Sequence, residues 1–72
     1  MSKPKNLSEL LAALTAEGFK VLFHANGNDL AIRIQFDDKV IERVINRRAV
    51  LDSNLDLLFY EVDRAADHLK AK

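Results

Sequence analysis

The feature that most constrains this chain is the Asn26-Gly27 pair set between two segments of alternating apolar residues, 19–25 and 30–36. An Asn-Gly pair in that position is a strong hairpin signal, because a type I′ turn needs positive φ at both central residues and few other pairs tolerate it. A two-residue Asn26-Gly27 turn pairs Phe23 with Leu30, Val21 with Ile32 and Phe19 with Ile34. A four-residue turn over 26–29 shifts these pairs by two and leaves the same residues on the same face. The core face therefore follows from the pattern whichever turn forms. The opposite face carries Lys20, Leu22, His24, Ala31, Arg33 and Gln35.

Helical patterns flank the hairpin. Asn6 suits an N-cap, and Glu9 three residues on completes a capping-box-like start. Leu7, Leu10, Leu11 and Leu14 then recur at helical spacing, and Gly18 is placed to end the helix with Phe19 packing behind it. The predicted first helix covers about 6–17. Near the other end, Asp52 or Ser53 is expected to cap a last helix with Asp56 in its first turn, and Leu55, Leu58, Phe59, Val62, Ala66 and Leu69 form its core stripe.

Between hairpin and last helix, Asp37-Asp38-Lys39 marks a second turn. The segment after it fits two periods. Val40, Ile41, Val44, Ile45 and Ala49 fall at helical spacing, yet Val40, Ile41, Val44 and Ile45 are β-branched, which favours a strand over 39–46. The expected fold is α+β in the order α-β-β-β-α, a three-stranded antiparallel sheet with both helices on one face. The alternative order is α-β-β-α-α. Residues 1–5 read as a flexible leader, 6–72 as a single α+β domain and 70–72 as a frayed tail.

Composition narrows the function classes. At 72 residues the chain makes one small domain, and such a domain buries only about 60% of the surface its unfolded chain exposes. There is no Cys, and the two His residues are far apart in sequence, so neither a disulfide nor a metal or cofactor site is expected. Lys+Arg and Asp+Glu balance at 11 each. That excludes an overall basic or overall acidic chain and favours self-association. No apolar run reaches membrane-spanning length, and 1–6 is too polar for a signal peptide, so a cytoplasmic protein is expected.

The candidate functional residues are what the core leaves over. With both helices on one side, the other sheet face is open. There Leu22 and Ala31 are joined by one apolar pair of the third strand, Val40 and Val44 or Ile41 and Ile45, rimmed by Lys20, His24, Arg33 and Arg43. An apolar centre with a charged rim is the pattern of a protein-interaction surface; the plainer alternative is a solvated face of a monomer. The last helix carries a second stripe of Leu57, Tyr60, Arg64 and His68, and Leu, Tyr and Arg together have hot-spot chemistry. Arg33, Arg43, Arg47 and Arg48 form the only basic cluster, either for phosphates or an acidic partner, or for local pairing with Asp52 and Asp56. His24 and Asp29 oppose each other in the two-residue register, most simply as a solvated cross-strand pair. Ser8, Thr15 and Ser53 have no base arranged beside them, so an enzyme is not expected.

The α-β-β-β-α order and the length resemble the double-stranded RNA-binding domain over most of the chain. That resemblance implies the topology but no binding residue: where the family has a Lys-rich start to the last helix, this chain reads Asp52-Ser53-Asn54-Leu55-Asp56. The size and order are also similar to small accessory proteins of phages and mobile elements, including anti-CRISPR inhibitors, which implies action by occluding a site on a larger protein. The expectation is a small non-enzymatic protein-interaction module, a regulator or inhibitor docking on a larger bacterial or phage complex or forming a homodimer. It would use Leu22, Ala31, Arg33, Val40 and Val44, or Leu57, Tyr60 and Arg64. The alternative is a nucleic-acid-binding module using Arg33, Arg43, Arg47 and Arg48.

Overall fold

The computed structural model describes residues 4–71. Helix α1, Leu7–Ala16, starts and stops where its flanking residues satisfy the free backbone groups. The Asn6 side-chain oxygen accepts from the Glu9 N–H at 2.9 Å, and the Glu9 carboxylate accepts from the Lys5 N–H at 3.0 Å. At the other end Phe19 N–H donates to the Leu14 carbonyl and Gly18 N–H to that of Thr15, with Gly18 at φ +99. This is a Schellman closure, in which glycine takes the left-handed position and the next residue is turned into the core.

Strand β1, Lys20–Asn26, and strand β2, Asp29–Phe36, form the expected hairpin in the shifted register: Phe23 pairs with Ile32, Val21 with Ile34 and His24 with Ala31. The turn residues are Gly27 and Asn28, not Asn26 and Gly27. Asn26 still belongs to the ladder, opposite Asp29. Gly27 has φ +62 and Asn28 is not at positive φ, the pattern of a type II′ turn, which places glycine first. His24 and Asp29 therefore do not face each other, and the cross-strand pair expected between them does not form.

Strand β3, Lys39–Asn46, follows a turn with Asp37 at φ +60. β-branching prevails over helical spacing here. Ile41 lies opposite Ile34 and Ile45 opposite Leu30, so these two point to the core, while Val40 and Val44 point away. The sheet is antiparallel in the order β1-β2-β3.

A short helix α2, Arg47–Asp52, was not expected. Asn46 caps it, its side chain accepting from the Ala49 N–H at 3.1 Å, and Arg47 N–H donates to the Asn28 carbonyl at 2.8 Å, tying the helix start to the hairpin tip. It ends in a second Schellman closure with Asn54 at φ +55, followed by Leu55 at φ +73. Leu55 thus lies outside the last helix and is exposed, rather than in its core stripe. Helix α3 is Asp56–Lys70. The Ser53 hydroxyl accepts from the Leu57 N–H and donates to the Val50 carbonyl, so it joins the end of α2 to the start of α3.

One core unites these elements: Leu10 and Leu14 of α1, Phe19, Ile32 and Ile34 of the sheet side, Val50 of α2, and Leu58, Val62, Ala65, Ala66 and Leu69 of α3. Phe19 stacks on Phe36 with ring centroids 4.2 Å apart. Lys70, expected in a frayed tail, closes α3 by bridging Glu17 at 3.0 Å and sits 5.8 Å from the Phe19 ring centroid. All three helices lie on one side of the sheet. The shortest extent of the molecule, 16 Å, accommodates that one helix layer and the sheet.

Candidate functional site: the open sheet face

The pairing places twelve side chains on the uncovered face in four rows across the sheet: Asn26, Asp29 and Asn46; His24, Ala31 and Val44; Leu22, Arg33 and Glu42; Lys20, Gln35 and Val40. Ala31 and Val44 are direct cross-strand neighbours, and Leu22 lies diagonally from Ala31. Direct cross-strand neighbours have Cβ atoms about 5 Å apart and diagonal ones about 7–8 Å, so these three form a continuous apolar strip. Val40 lies at the far end of β3 beside Gln35. Leu22 and Val44 are each 63% exposed and Val40 44%, because among the described residues no element packs on this side. Ala31 is half-buried between its strand neighbours.

Four of the five face residues expected from the sequence form the apolar part, and the fifth, Arg33, stands beside Leu22 and opposite Glu42. Arg43, expected on the rim, belongs elsewhere. It pairs with Ile32, so it lies on the helix side of the sheet. Glu42 takes the rim position instead, and parity along β3 was the signal: a residue two removed from Val40 and Val44 shares their face.

The arginine cluster divides accordingly. Arg33 is on the open face, Arg43 on the helix side, and Arg47 and Arg48 open α2. Arg47 and Arg48 line a shallow cleft of about 460 Å³ with Asn28, Asn46 and Leu51. Among the described residues neither pairs with Asp52 or Asp56; the only ion pair there is Lys70–Glu17.

The second stripe is narrower than expected. Leu57 packs against the core and is half-buried. Tyr60 remains 51% exposed, and Arg64 donates from Nη1 to its hydroxyl at 2.7 Å. The guanidinium carbon lies 5.4 Å from the ring centroid. The hydrogen bond to Tyr60 is the main cause holding Arg64 above its ordinary pKa. Tyr60, Arg64 and His68 are exposed on the helix layer, away from the open face.

Phe23 was missed as a surface residue. It points to the helix side, beside the fully buried Ile32, yet is 39% exposed, because the helices leave the tip end of β1 bare. Its alternation assigns the face correctly but says nothing of how far the helix layer extends. Among the described residues no three His, Cys, Asp or Glu side chains gather in a way that could hold a metal ion. No helix among them is long and apolar enough to cross a membrane. No protein-family model, curated protein or solved structure matches the chain.

Proposed function

We propose that this chain is a small non-enzymatic protein-interaction module that docks its open sheet face on another protein and regulates or inhibits it by covering a site. The observation that supports the reading is the exposure of Leu22 and Val44 on a face that no helix among the described residues covers. At 63% exposure each would gain about 1–2 kcal/mol on full burial, and Lys20, His24, Arg33 and Glu42 surround them with the polar and charged groups of a rim. Twelve outward side chains are about half of the roughly 20–30 residues a standard interface uses on each side. The docking is therefore of the weak or transient kind unless the face is enlarged.

The runner-up is nucleic-acid binding through the cleft of Arg47 and Arg48. The two separate cleanly. The immobilised chain is offered a lysate of its host cells, alongside Val44→Asp and the double variant Arg47→Glu/Arg48→Glu. The module reading expects one protein retained in moderate salt, lost with Val44→Asp and kept by the arginine variant. Retention of nucleic acid that falls steeply with salt and disappears with the arginine variant would replace it. A captured protein unaffected by Val44→Asp would remove the open face from the site.

A further inference from the structure

The two edges of the sheet are not equivalent. Among the described residues the three-stranded sheet, in the order β1-β2-β3, leaves one side of β1 and one side of β3 without a partner strand. Such edges template pairing with another chain unless something blunts them. Among the described residues the β1 backbone makes no hydrogen bond outside its ladder with β2. The two-residue turn makes Asn26 and Asp29 a hydrogen-bonded pair, and antiparallel alternation then directs the N–H and C=O groups of Val21, Phe23 and Ala25 outward. The strand is also bare: from Leu22 to Asn26 every residue is exposed, on both faces.

Charge separates the two edges when each strand is paired with a copy of itself over most of its length. An antiparallel pair of identical strands must oppose residues of like parity, so its two-fold axis falls on a residue. For β3 the central positions are Glu42 and Arg43, and a two-fold at either sets like charges face to face. Arg43 is, moreover, a charge on the core-facing side of an edge strand, a known way of discouraging such pairing. For β1 the central residue is Phe23. Centred there, all seven residues pair: Phe23 with its copy, Leu22 with His24, Val21 with Ala25 and Lys20 with Asn26. No like charges oppose each other.

Shape agrees with charge. Phe19 is buried and Val21 half-buried beneath the helix layer, whereas Phe23 and Ala25 are exposed. Antiparallel pairing sets the bare end of each β1 beside the covered end of the other, so each copy's helix layer flanks the other's uncovered residues. We infer that two copies of this chain join through β1, antiparallel and centred on Phe23, into one continuous six-stranded sheet with all helices on one side. The pairing requires no partner on the open face, but it doubles that face to the size a standard interface uses.

The decisive measurement is molar mass by light scattering over a concentration series. The wild type is expected at twice its 8.2 kDa. Phe23→Lys sets two ammonium groups on the axis and should halve the mass, with circular dichroism confirming the fold. Should that variant not fold, Ala25→Pro removes an outward N–H from an exposed edge position, where proline is tolerated, and is read the same way. Val44→Asp should stay dimeric. The chain has no cysteine, so Phe23→Cys gives a single thiol that should oxidise to a symmetrical disulfide, its two Cα atoms being about 5.5 Å apart in such a pair. A monomer at all concentrations would overturn the inference. So would a dimer dissolved by Val44→Asp but not by Phe23→Lys, which would mean pairing face to face. A mass that grows beyond the dimer would mean open-ended edge pairing instead.

Discussion

The same three strands present two faces with opposite fates. On one, Ile32 and Ile34 have no exposure; on the other, Val44 keeps 63% although it is the sequence neighbour of the core-facing Ile45. The apolar character of the residues does not account for the difference, since valine and isoleucine bury almost equally well. Helix supply does. Among the described residues α1, α2 and α3 all pack on one side, and no helix packs on the other. An antiparallel sheet tolerates this when its outer face is polar, yet here Leu22, Ala31, Val40 and Val44 occupy it. The covered face explains why the chain folds, and the uncovered one is where a use must be sought.

The comparison is sharpest when each face loses the same kind of side chain. Ile32→Ala removes methyl groups from a site with no exposure and leaves a cavity among packed neighbours. It is expected to cost about 2–5 kcal/mol, a large share of the roughly 4–11 kcal/mol available to a domain of this size. Urea unfolding should show a much lower midpoint with an unchanged slope. A loss below about 1 kcal/mol would mean the helix layer is not firmly seated on the sheet.

The hairpin tip serves both faces at once. Gly27 has φ +62, and a Cβ there would meet nothing within 4 Å. Any cost of Gly27→Val is therefore backbone strain alone, about 1–2 kcal/mol for a β-branched residue in that region. Thermal denaturation should register it as a drop of several degrees. An unchanged midpoint would mean the hairpin does not depend on a positive φ at that position.

Much of this was legible in the sequence for identifiable reasons. The caps of α1 are local, so Asn6, Glu9 and Gly18 announce them. The strand character of β3 follows from β-branching, and its start from the Asp37-Asp38-Lys39 turn signal. The register was not legible, because a shift of two preserves every facing and the hydrophobic pattern cannot distinguish the two pairings. The break between α2 and α3 was hidden for a similar reason: Leu55 sits three residues before Leu58 and seven before Val62, so it fits the stripe. Its backbone, at φ +73, does not fit the helix. Asn54, a residue that tolerates the left-handed region, was the available sign. For the open face, the apolar set follows from pairing alone, while Arg43 shares the parity of Ile41 and Ile45 and so lies on the helix side.

The attachment of the helix layer gives a smaller effect confined to the covered side. The Ser53 hydroxyl accepts from the Leu57 N–H at 3.1 Å and donates to the Val50 carbonyl at 2.9 Å in a partly buried setting. Ser53→Ala removes both bonds and should cost about 1 kcal/mol. Amide exchange should rise in the first turn of α3 and leave the β1–β2 ladder unchanged. Faster exchange in that ladder would mean the two layers open together.

The smallest expected effect tests the open face itself. Val44→Ala removes two methyl groups that water already reaches, so an isolated chain should change by no more than about 0.5 kcal/mol. The contrast with Ile32→Ala is then nearly the whole value of burial, measured within one sheet. The result also depends on concentration in an informative way. If Val44 is uncovered in solution, the loss stays small in dilute and concentrated samples alike, as the β1-paired dimer requires. A loss that grows with protein concentration would show that a second copy covers this face, since only burial in an assembly makes those methyl groups count.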